Sequence, residues 1–380
     1  MQLKVDIKLL CNALDNIGKA ITRRTTNPAL DLFYFLLKPG FLTIIGTDSE
    51  VFIQTSIPVD SKPGMNAQFY ISAYLLLNGI KSLDKCDITI SCDSTLCTVS
   101  YPSGQFAIPF YYDFQGYPNV PEIKRPETEF NTPCVPIMQA CAQLTAFIDP
   151  SKADLYPNLA GVHFKINDQQ DGRKLDIVAT DSLILGFYSS FVSNEIPSSS
   201  MTVSLKAASI LSSIMKKEST DNSVANICFD SSNVCIQFDN YTVTARLIEK
   251  KYPDYNRVIP SHTPCKLVID RQNLISALKR LMIITDKGSD VVIDIRPGEI
   301  CLKGHNLLFN QHSEETVIAD YNDTETKVCF DASKLLTILN AINAPTVSLV
   351  FRDGKTPFII LPHDSEDENK TFLLMSKVIS

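Results

Sequence analysis

The chain has 380 residues, 44% of them hydrophobic and 20% charged, and carries a net charge of −7. This composition is typical of a folded protein of two or three domains, and no stretch approaches the roughly 18 apolar residues of a membrane span. The segment Met1–Asp6 interrupts its apolar residues with charges and lacks a signal-peptide core, so we expect a cytoplasmic location. The negative net charge argues against nucleic-acid binding unless the positive charges share one surface.

Neither the cysteines nor the histidines indicate a metal site. The eleven cysteines are scattered without a CxxC pair, as expected of reduced thiols that serve as small hydrophobic residues. The five histidines lack metal-ligand spacing, and no Gly-rich phosphate loop or GxSxG motif occurs. The sequence therefore predicts no metal and no cofactor.

The first part of the chain predicts a helix, strands, a second helix and hairpins. The phrase at 42–59, LTIIGTDSEVFIQTSIPV, alternates on both sides of Thr47-Asp48-Ser49 and predicts a pair of strands joined by a turn. The predicted elements are a helix at 5–21, strands at 29–37 and 42–59, a helix at 71–83, and strands at 88–92, 97–101 and 106–110.

The same order of elements returns twice. The phrase at 175–192 repeats the turn as Thr180-Asp181-Ser182, and a weaker copy near Ile300 predicts a turn at Gly304-His305-Asn306. Helices are predicted at 135–148, 203–217, 271–284 and 331–342, with strands around them. Pro-rich links at 117–121 and 252–260 separate the repeats. We infer an α+β fold of three similar domains, each with two helices on antiparallel sheets, at 1–125, 126–262 and 263–380.

The two Thr-Asp-Ser turns permit an enzymatic interpretation as well as a structural one. A carboxylate beside a hydroxyl could belong to a hydrolase that uses Asp48, Asp181 and a distant histidine. Because the pattern recurs at one structural position, turns that satisfy local backbone groups are the better interpretation, and we expect no catalytic site.

Basic residues recur on the predicted helices. Each lysine alone is best interpreted as part of a solvated helix face. Together they predict a basic track that would hold phosphates without reading bases, in a salt-sensitive way. The residues are Lys8, Lys19, Arg23, Arg24, Lys206, Lys216, Lys217, Lys279, Arg280, Lys287 and Lys334.

Four motifs give the chain a resemblance to a known family. They are Asn27-Pro28-Ala29-Leu30, Gly46-Thr47-Asp48, Val178-Ala179-Thr180-Asp181 and, most specifically, YPDYNRVIP at 252–260. Over nearly its whole length the chain resembles the bacterial sliding clamps, the β subunits of DNA polymerase III. The resemblance implies three clamp domains per chain and two chains closed head to tail into a ring. Such a ring encircles double-stranded DNA without sequence preference, tethers polymerase, and is not an enzyme.

The resemblance also implies which residues meet DNA. Arg24 matches a DNA-contacting arginine of the family, and Lys206 falls in a basic spot at the start of its helix. Pro157-Asn158 replaces a pair of family tyrosines, with Lys152 and Tyr156 nearby. The predicted DNA contacts are Arg23, Arg24, Lys152, Tyr156, Lys206, Lys216, Lys217 and Lys279.

A dimer interface is implied at two different patches. Phe106 and Ile108 alternate on a terminal strand at one end, and Ile283 and Ile284 lie at the other. The alternative for all four is an ordinary core position. Self-association through two different patches must close or polymerise, and the family closes at two chains.

A groove for short partner peptides is implied between the second and third domains. Its partners in the family are DNA polymerase III, clamp-loader subunits and other repair polymerases. The matching positions are Leu159, Thr180, Leu183, Leu185, Pro253, Arg257, Val258, Leu373 and Met375. The segments 182–185 and 375–378 depart from the family pattern, which predicts a changed peptide preference. The alternative function is a diverged clamp-like scaffold that binds proteins but no longer encircles DNA.

Overall fold

The structure is a computed structural model that describes residues 1–22, 26–84, 86–169, 172–285, 290–306, 311–363 and 369–378. Arg23 and Arg24 lie outside the described residues. Six α-helices occur in the described part of the chain: α1 (Ile7–Ile17), α2 (Ala73–Lys81), α3 (Cys134–Leu144), α4 (Leu205–Glu218), α5 (Arg271–Ile284) and α6 (Ala332–Ala341).

The strands follow the predicted order. The first group is β1 (Gln2–Asp6), β2 (Leu32–Lys38), β3 (Phe41–Thr47), β4 (Val51–Pro58), β5 (Asp60–Ser61), β6 (Ala67–Ser72), β7 (Asp87–Cys92), β8 (Leu96–Tyr101) and β9 (Gly104–Tyr111). The second is β10 (Thr128–Pro133), β11 (Gly161–Gln169), β12 (Gly172–Thr180), β13 (Ile184–Phe191), β14 (Ser199–Ser204), β15 (Val224–Phe229), β16 (Asn233–Phe238) and β17 (Tyr241–Arg246). The third is β18 (Cys265–Asp270), β19 (Asp290–Arg296), β20 (Glu299–Asn306), β21 (Gln311–Asp320), β22 (Thr326–Asp331), β23 (Thr346–Phe351), β24 (Phe358–His363) and β25 (Lys370–Leu374).

The chain divides into two compact units, each with its own sheet. Unit 1 comprises Met1–Met138 and Lys206–Leu247, and unit 2 comprises Gln139–Leu205 and Ile248–Ser380. The sheet of unit 1 has thirteen strands in the order β10-β15-β16-β17-β4-β3-β2-β6-β9-β8-β7-β1-β5. The sheet of unit 2 has twelve, in the order β14-β11-β12-β13-β25-β24-β23-β18-β21-β20-β19-β22. The α+β class agrees with the sequence analysis, while the domain limits 1–125, 126–262 and 263–380 stay a prediction.

Local sequence explains where the first helix of a repeat begins. The Asp6 carboxylate accepts a hydrogen bond from the Leu9 amide at 2.9 Å, and the Asp270 carboxylate accepts one from the Asn273 amide at 2.7 Å. A carboxylate at this position satisfies an amide that has no partner within the helix. The helix predicted at 5–21 is therefore shorter in the structure, whereas 271–284 matches α5.

The turn predicted at Gly304-His305-Asn306 is wrong. These residues belong to β20 and continue its ladder with β21, where Gly304 pairs with Ser313. A Cβ at Gly304 would lie 2.7 Å from the side chains of Leu281 of α5 and of Thr285, which follows this helix. Gly46 of β3 has the same role beneath α1, where a Cβ would lie 2.5 Å from Ile17. Glycine therefore allows a helix to approach the sheet closely at this position.

Candidate functional site

The Thr-Asp-Ser turn of unit 1 uses its carboxylate for the backbone. Asp48 Oδ1 accepts hydrogen bonds from the Glu50 and Val51 amides at 3.0 and 2.8 Å. Ser49 has φ +80°, a conformation that L-residues rarely adopt. Asp48 Oδ2 lies 2.5 Å from Lys206 Nζ. The carboxylate is fully engaged as a turn and ion-pair group, which favours the structural interpretation over a catalytic one.

Unit 2 repeats this turn more deeply buried. Asp181 Oδ1 accepts from the Leu183 and Ile184 amides at 2.9 and 3.0 Å, and Ser182 has φ +77°. Lys334 of α6 forms an ion pair with Asp181 Oδ2. The Asp181 side chain is 1% exposed, against 13% for Asp48, so its charge depends more strongly on the paired lysine.

An apolar cluster lies beside the second turn, at the place of the predicted groove. Leu373 of β25 pairs with Leu185 of β13 on one side and with Ile359 of β24 on the other. These three residues pack with Val178, Tyr252 and Tyr255 into one cluster. Three neighbouring strands and the segment after Tyr252 thus form a continuous apolar floor, with the composition that anchors peptide side chains.

The rim of the groove is less buried than its floor. Leu159 and Met375 are partly buried and pack against the cluster, whereas Val258 is 44% exposed. The Met375 amide donates to the Leu183 carbonyl at 2.9 Å, which ties the C-terminal segment to the turn. Unit 2 thus brings the predicted residues Leu159, Leu185, Leu373 and Met375 onto one packed surface, while Val258 lines an adjoining cavity.

The remaining predicted groove residues have different surroundings. Thr180 is buried, and its hydroxyl donates to the Ile184 carbonyl at 2.6 Å, so it shapes the turn. Pro253 and Arg257 are exposed, and Leu183 is half-buried.

Polar groups beneath the floor fix the segment that follows Tyr252. The Tyr255 hydroxyl donates to Asp176 Oδ2 at 3.1 Å, and the Ser189 hydroxyl donates to Oδ1 at 2.8 Å. Burial raises the pKa of Asp176, and burial together with the Asp176 charge raises the pKa of Tyr255. His163 stacks on Tyr252 at 4.3 Å and 3°, and burial lowers the pKa of His163 to about 4.

Sequence reasoning missed Ile359, Tyr255 and Lys334 as parts of this site. The motif YPDYNRVIP contains Tyr255, but the motif alone does not indicate that Tyr255 packs into the floor. Ile359 belongs to an apolar strand of ordinary pattern, so only the strand order of the sheet connects it to Leu373.

The predicted DNA contacts of unit 1 are partly engaged in internal bonds. Lys206 Nζ donates to the Ala20 carbonyl at 2.8 Å and the Thr22 hydroxyl at 2.9 Å, besides its pair with Asp48. Lys217 lies 3.4 Å from Asp15, and Lys216 is exposed.

The predicted DNA contacts of unit 2 lie near its surface. Lys152 lies 3.7 Å from Asp149 in an exposed pair, Tyr156 is 52% exposed, and Lys279 is exposed on α5. The role of all eight residues in DNA binding stays a prediction.

The predicted interface residues divide into buried and exposed ones. Ile108 is buried, and Phe106 packs on α2 at Gly79, where a Cβ would lie 2.6 Å from the Phe106 ring. Ile283 is 79% exposed and Ile284 half-buried. Ile283 therefore presents an apolar side chain that its own unit does not cover.

Two strands have an edge that is only partly paired in the described ladders. β9 pairs with β8 over Gly104–Pro109, but with β6 only through Phe110 and Tyr111. β21 pairs with β20 over Gln311–Ile318, but with β18 only through Ala319 and Asp320. Such edges can add a strand from another chain.

Membrane-spanning helices and metal-binding side chains would indicate other classes of function. Among the described residues, no helix is long and apolar enough to cross a membrane. In the same part of the chain, no three His, Cys, Asp or Glu side chains are placed to hold a metal ion.

Comparison with known proteins finds one family along the chain. Residues 1–121, 142–254 and 256–376 match the N-terminal, central and C-terminal domain models of the DNA polymerase III beta subunit. The beta sliding clamp of Staphylococcus epidermidis is 26% identical over 99% of this chain and 98% of its own length. The chain belongs to the DNA polymerase III beta subunit family.

Solved structures share the fold. The sliding clamp of Bartonella birtlesii bound to griselimycin has a TM-score of 0.90 at 22% identity, with 100% of both chains covered. The Pseudomonas aeruginosa clamp bound to griselimycin has a TM-score of 0.90 at 21% identity, again with 100% of both chains covered. The repeated clamp architecture is thus that of DNA sliding clamps.

Proposed function

We propose that the chain is a DNA sliding clamp, a processivity factor that encircles double-stranded DNA and tethers polymerase. The apolar floor Leu185–Leu373–Ile359 carries the proposal, because it gives a member of this family a surface for partner peptides. We infer that the chain performs no catalysis, acts in the cytoplasm, and binds DNA polymerase III, clamp-loader subunits and other repair polymerases through short motifs.

The ring would close by repeating a contact that each unit already contains. In unit 1, β4 of the first repeat pairs with β17 of the second, and in unit 2, β13 of the second repeat pairs with β25 of the third. By position in the repeat, β21 corresponds to β4 and β13, and β9 corresponds to β17 and β25. Each of these two strands has a partly unpaired edge. We propose that β9 of one protomer pairs with β21 of the partner, giving a head-to-tail dimer.

The intrachain ladders also give a register for this pairing. Val243 lies opposite Ile53 in unit 1, and Phe372 lies opposite Gly186 in unit 2. Phe106 of β9 corresponds to Val243 and Phe372, and Ser313 of β21 corresponds to Ile53 and Gly186. Phe106 would therefore lie opposite the partner's Ser313. Phe106 and Ile108 would then approach the end of α5, where Ile283 and Ile284 lie.

The dimer is tested by Ile283→Asp and Phe106→Ala. Ile283 is mostly exposed, so its variant is expected to keep the fold. Truncating a buried aromatic side chain at an interface commonly lowers the free energy of association by about 2 kcal/mol or more. We therefore expect the dimers of both variants to dissociate at a higher protein concentration than the parent dimer. Val224→Asp, at a 54% exposed position outside both patches, is the control. Unchanged dissociation constants measured by analytical ultracentrifugation would refute this interface.

DNA encirclement is tested with labelled protein loaded by a clamp loader onto nicked circular DNA. We expect the protein to stay on the circle in high salt and to leave when the circle is linearised, because a closed ring needs free ends to escape. Retention on linear DNA with free ends would contradict topological binding. A protein that binds partner peptides but remains monomeric at micromolar concentration would instead be the clamp-like scaffold.

A further inference from the structure

A cavity of about 370 Å³ opens beside the peptide groove of unit 2. Its lining includes Arg257, Ile259, His262, Arg352, Thr356 and Met375. Ile259 and Met375 also pack against the apolar cluster of the groove. The cavity is therefore a lateral extension of the groove with a different chemical character.

The charged side chains that line this cavity are both positive. Arg257 and Arg352 contribute guanidinium groups that donate hydrogen bonds, and His262 contributes an imidazole ring. The nearby anions are Asp254, 3.0 Å from Arg257 Nε, and Asp353, 3.1 Å from Arg352 Nε. Each arginine is thus paired with a near neighbour in sequence, outside the set of residues that line the cavity.

Both ion pairs are weak enough to yield to a ligand. The side-chain exposures are 83% and 50% for Arg257 and Asp254, and 58% and 45% for Arg352 and Asp353. Exposed pairs of this kind contribute about 0–1 kcal/mol. Within the described residues, the bonds to both arginines use Nε, so the terminal amino groups remain available for a forked contact with a carboxylate.

The two oxygens of the Asp353 carboxylate have different partners. Oδ1 accepts hydrogen bonds from the Lys355 and Thr356 amides, both at 2.9 Å, and Oδ2 accepts the bond from Arg352 Nε. The bond from Lys355 is the largest cause that lowers the pKa of Asp353 to about 2, followed by the bonds from Arg352 and Thr356. The backbone therefore holds the carboxylate in its turn independently of Arg352.

We propose that this cavity binds an aspartate or glutamate side chain of the partner peptide, next to the apolar residues that occupy the groove. The inference rests on the proposed function, since it specifies the partner of the same site. Arg257 and Arg352 are the specificity-determining residues, and His262 and Thr356 complete the polar wall. Acidic partners would gain affinity, and the gain would fall with salt because the arginines are exposed.

The test uses nonapeptides that all have two central leucines. One set carries glutamate at one flanking position, and the other set carries glutamine at the same position. Each flanking position is substituted in turn. At low salt, we expect at least one glutamate peptide to bind the protein about fivefold more tightly than the peptide with glutamine at the same position. Arg352→Ala, alone or together with Arg257→Ala, would make the affinities of each glutamate peptide and its glutamine match equal. Arg296→Ala, an exposed arginine 4.0 Å from Asp294, is the matched control.

The outcomes separate this inference from the proposed function. Equal binding of glutamate and glutamine peptides, or a glutamate preference that survives in both arginine variants, would overturn the acidic site. In Arg352→Glu the preference would reverse towards peptides with lysine at the same position. If none of the peptides nor griselimycin binds, the groove itself fails as a peptide site.

Discussion

Leu373 of unit 2 and Thr244 of unit 1 occupy the same place in two copies of one strand arrangement. Leu373 lies between Leu185 and Ile359, whereas Thr244 lies between Phe52 and Cys235. Only the first set forms an apolar floor, because the second has a hydroxyl at its centre and a thiol beside it. The repeated fold supplies the same strand arrangement twice, and a few side chains decide which copy has an apolar floor.

A second pair of facing strand residues also differs between the two units. Tyr34 lies opposite Tyr70 in unit 1, with their rings stacked at 4.7 Å, and Tyr117 lies 5.6 Å from Tyr34.

In unit 2 the corresponding ladder pair is His163 and Thr202, joined by a 2.9 Å hydrogen bond, and Tyr252 stacks on His163. The linker tyrosine is held in both units, but unit 2 holds it on a titratable ring. The groove floor is therefore coupled to an ionisable residue that unit 1 lacks at this place.

The largest effect is expected when Leu373 of unit 2 is replaced by threonine, the residue at the corresponding position of unit 1. In Leu373→Thr, a hydroxyl and a smaller side chain replace a residue that is 2% exposed at the centre of the floor. We expect a loss of about 3 kcal/mol in the free energy of unfolding and at least a tenfold loss of affinity for the proposed partner peptides with two central leucines. Urea unfolding and calorimetric titration measure the two losses. Thr244→Leu is the reciprocal control, and equal peptide binding by parent and Leu373→Thr would contradict the comparison.

Acid should weaken the structure through His163. Its pKa of about 4 in the folded protein lies below the ordinary value near 6.5, because burial disfavours the charged ring. Protonation therefore opposes folding: the stability is complete above about pH 6.5 and falls by up to about 3 kcal/mol as the pH approaches 4.

We expect His163→Gln to remove this pH dependence of the free energy of unfolding, measured by urea unfolding from pH 7 to 4. His312→Gln, at an exposed position, should retain it. Asp176, whose pKa is raised by burial, is present in all three proteins and cancels in the difference. An identical slope in His163→Gln would exclude His163 as its source.

The sequence predicted best what local pattern controls. Alternation around Thr47 and Thr180 located four strands, and the helix predicted at 271–284 coincides with α5. Gly304 was misread because a glycine that admits a helix and a glycine in a turn look alike in sequence.

The site was less predictable because its parts meet only in the folded sheet. The Lys206 ammonium bonds Asp48 and the Ala20 carbonyl, which are far from it in sequence, while its contact with DNA stays a prediction. Ile359 reaches the floor only through the pairing of β24 with β25. Neither contact has a signature within a short window of sequence.

The two Thr-Asp-Ser turns should respond unequally to loss of charge. Asp181→Asn leaves Lys334 beside a neutral, buried amide, and we expect a loss of about 2–3 kcal/mol in the free energy of unfolding. Asp48→Asn is the matched variant, with a more exposed carboxylate and a lysine that keeps two other acceptors, so we expect about 1 kcal/mol. Equal losses would show that burial does not distinguish the turns.

The smallest effect concerns the backbone of the turns. Ser182 has φ +77° and Ser49 has φ +80°, where a Cβ is strained and glycine is not. Ser182→Gly relieves this strain but loses the bond from the hydroxyl to the Asp181 carbonyl, so we expect a net gain of about 0.5 kcal/mol. Ser182→Ala keeps the strain and also loses the bond, and is expected to unfold about 1 kcal/mol more easily than Ser182→Gly. The same glycine–alanine difference at Ser49 would show that backbone strain is a property of the repeated turn, independent of the groove beside one of its copies.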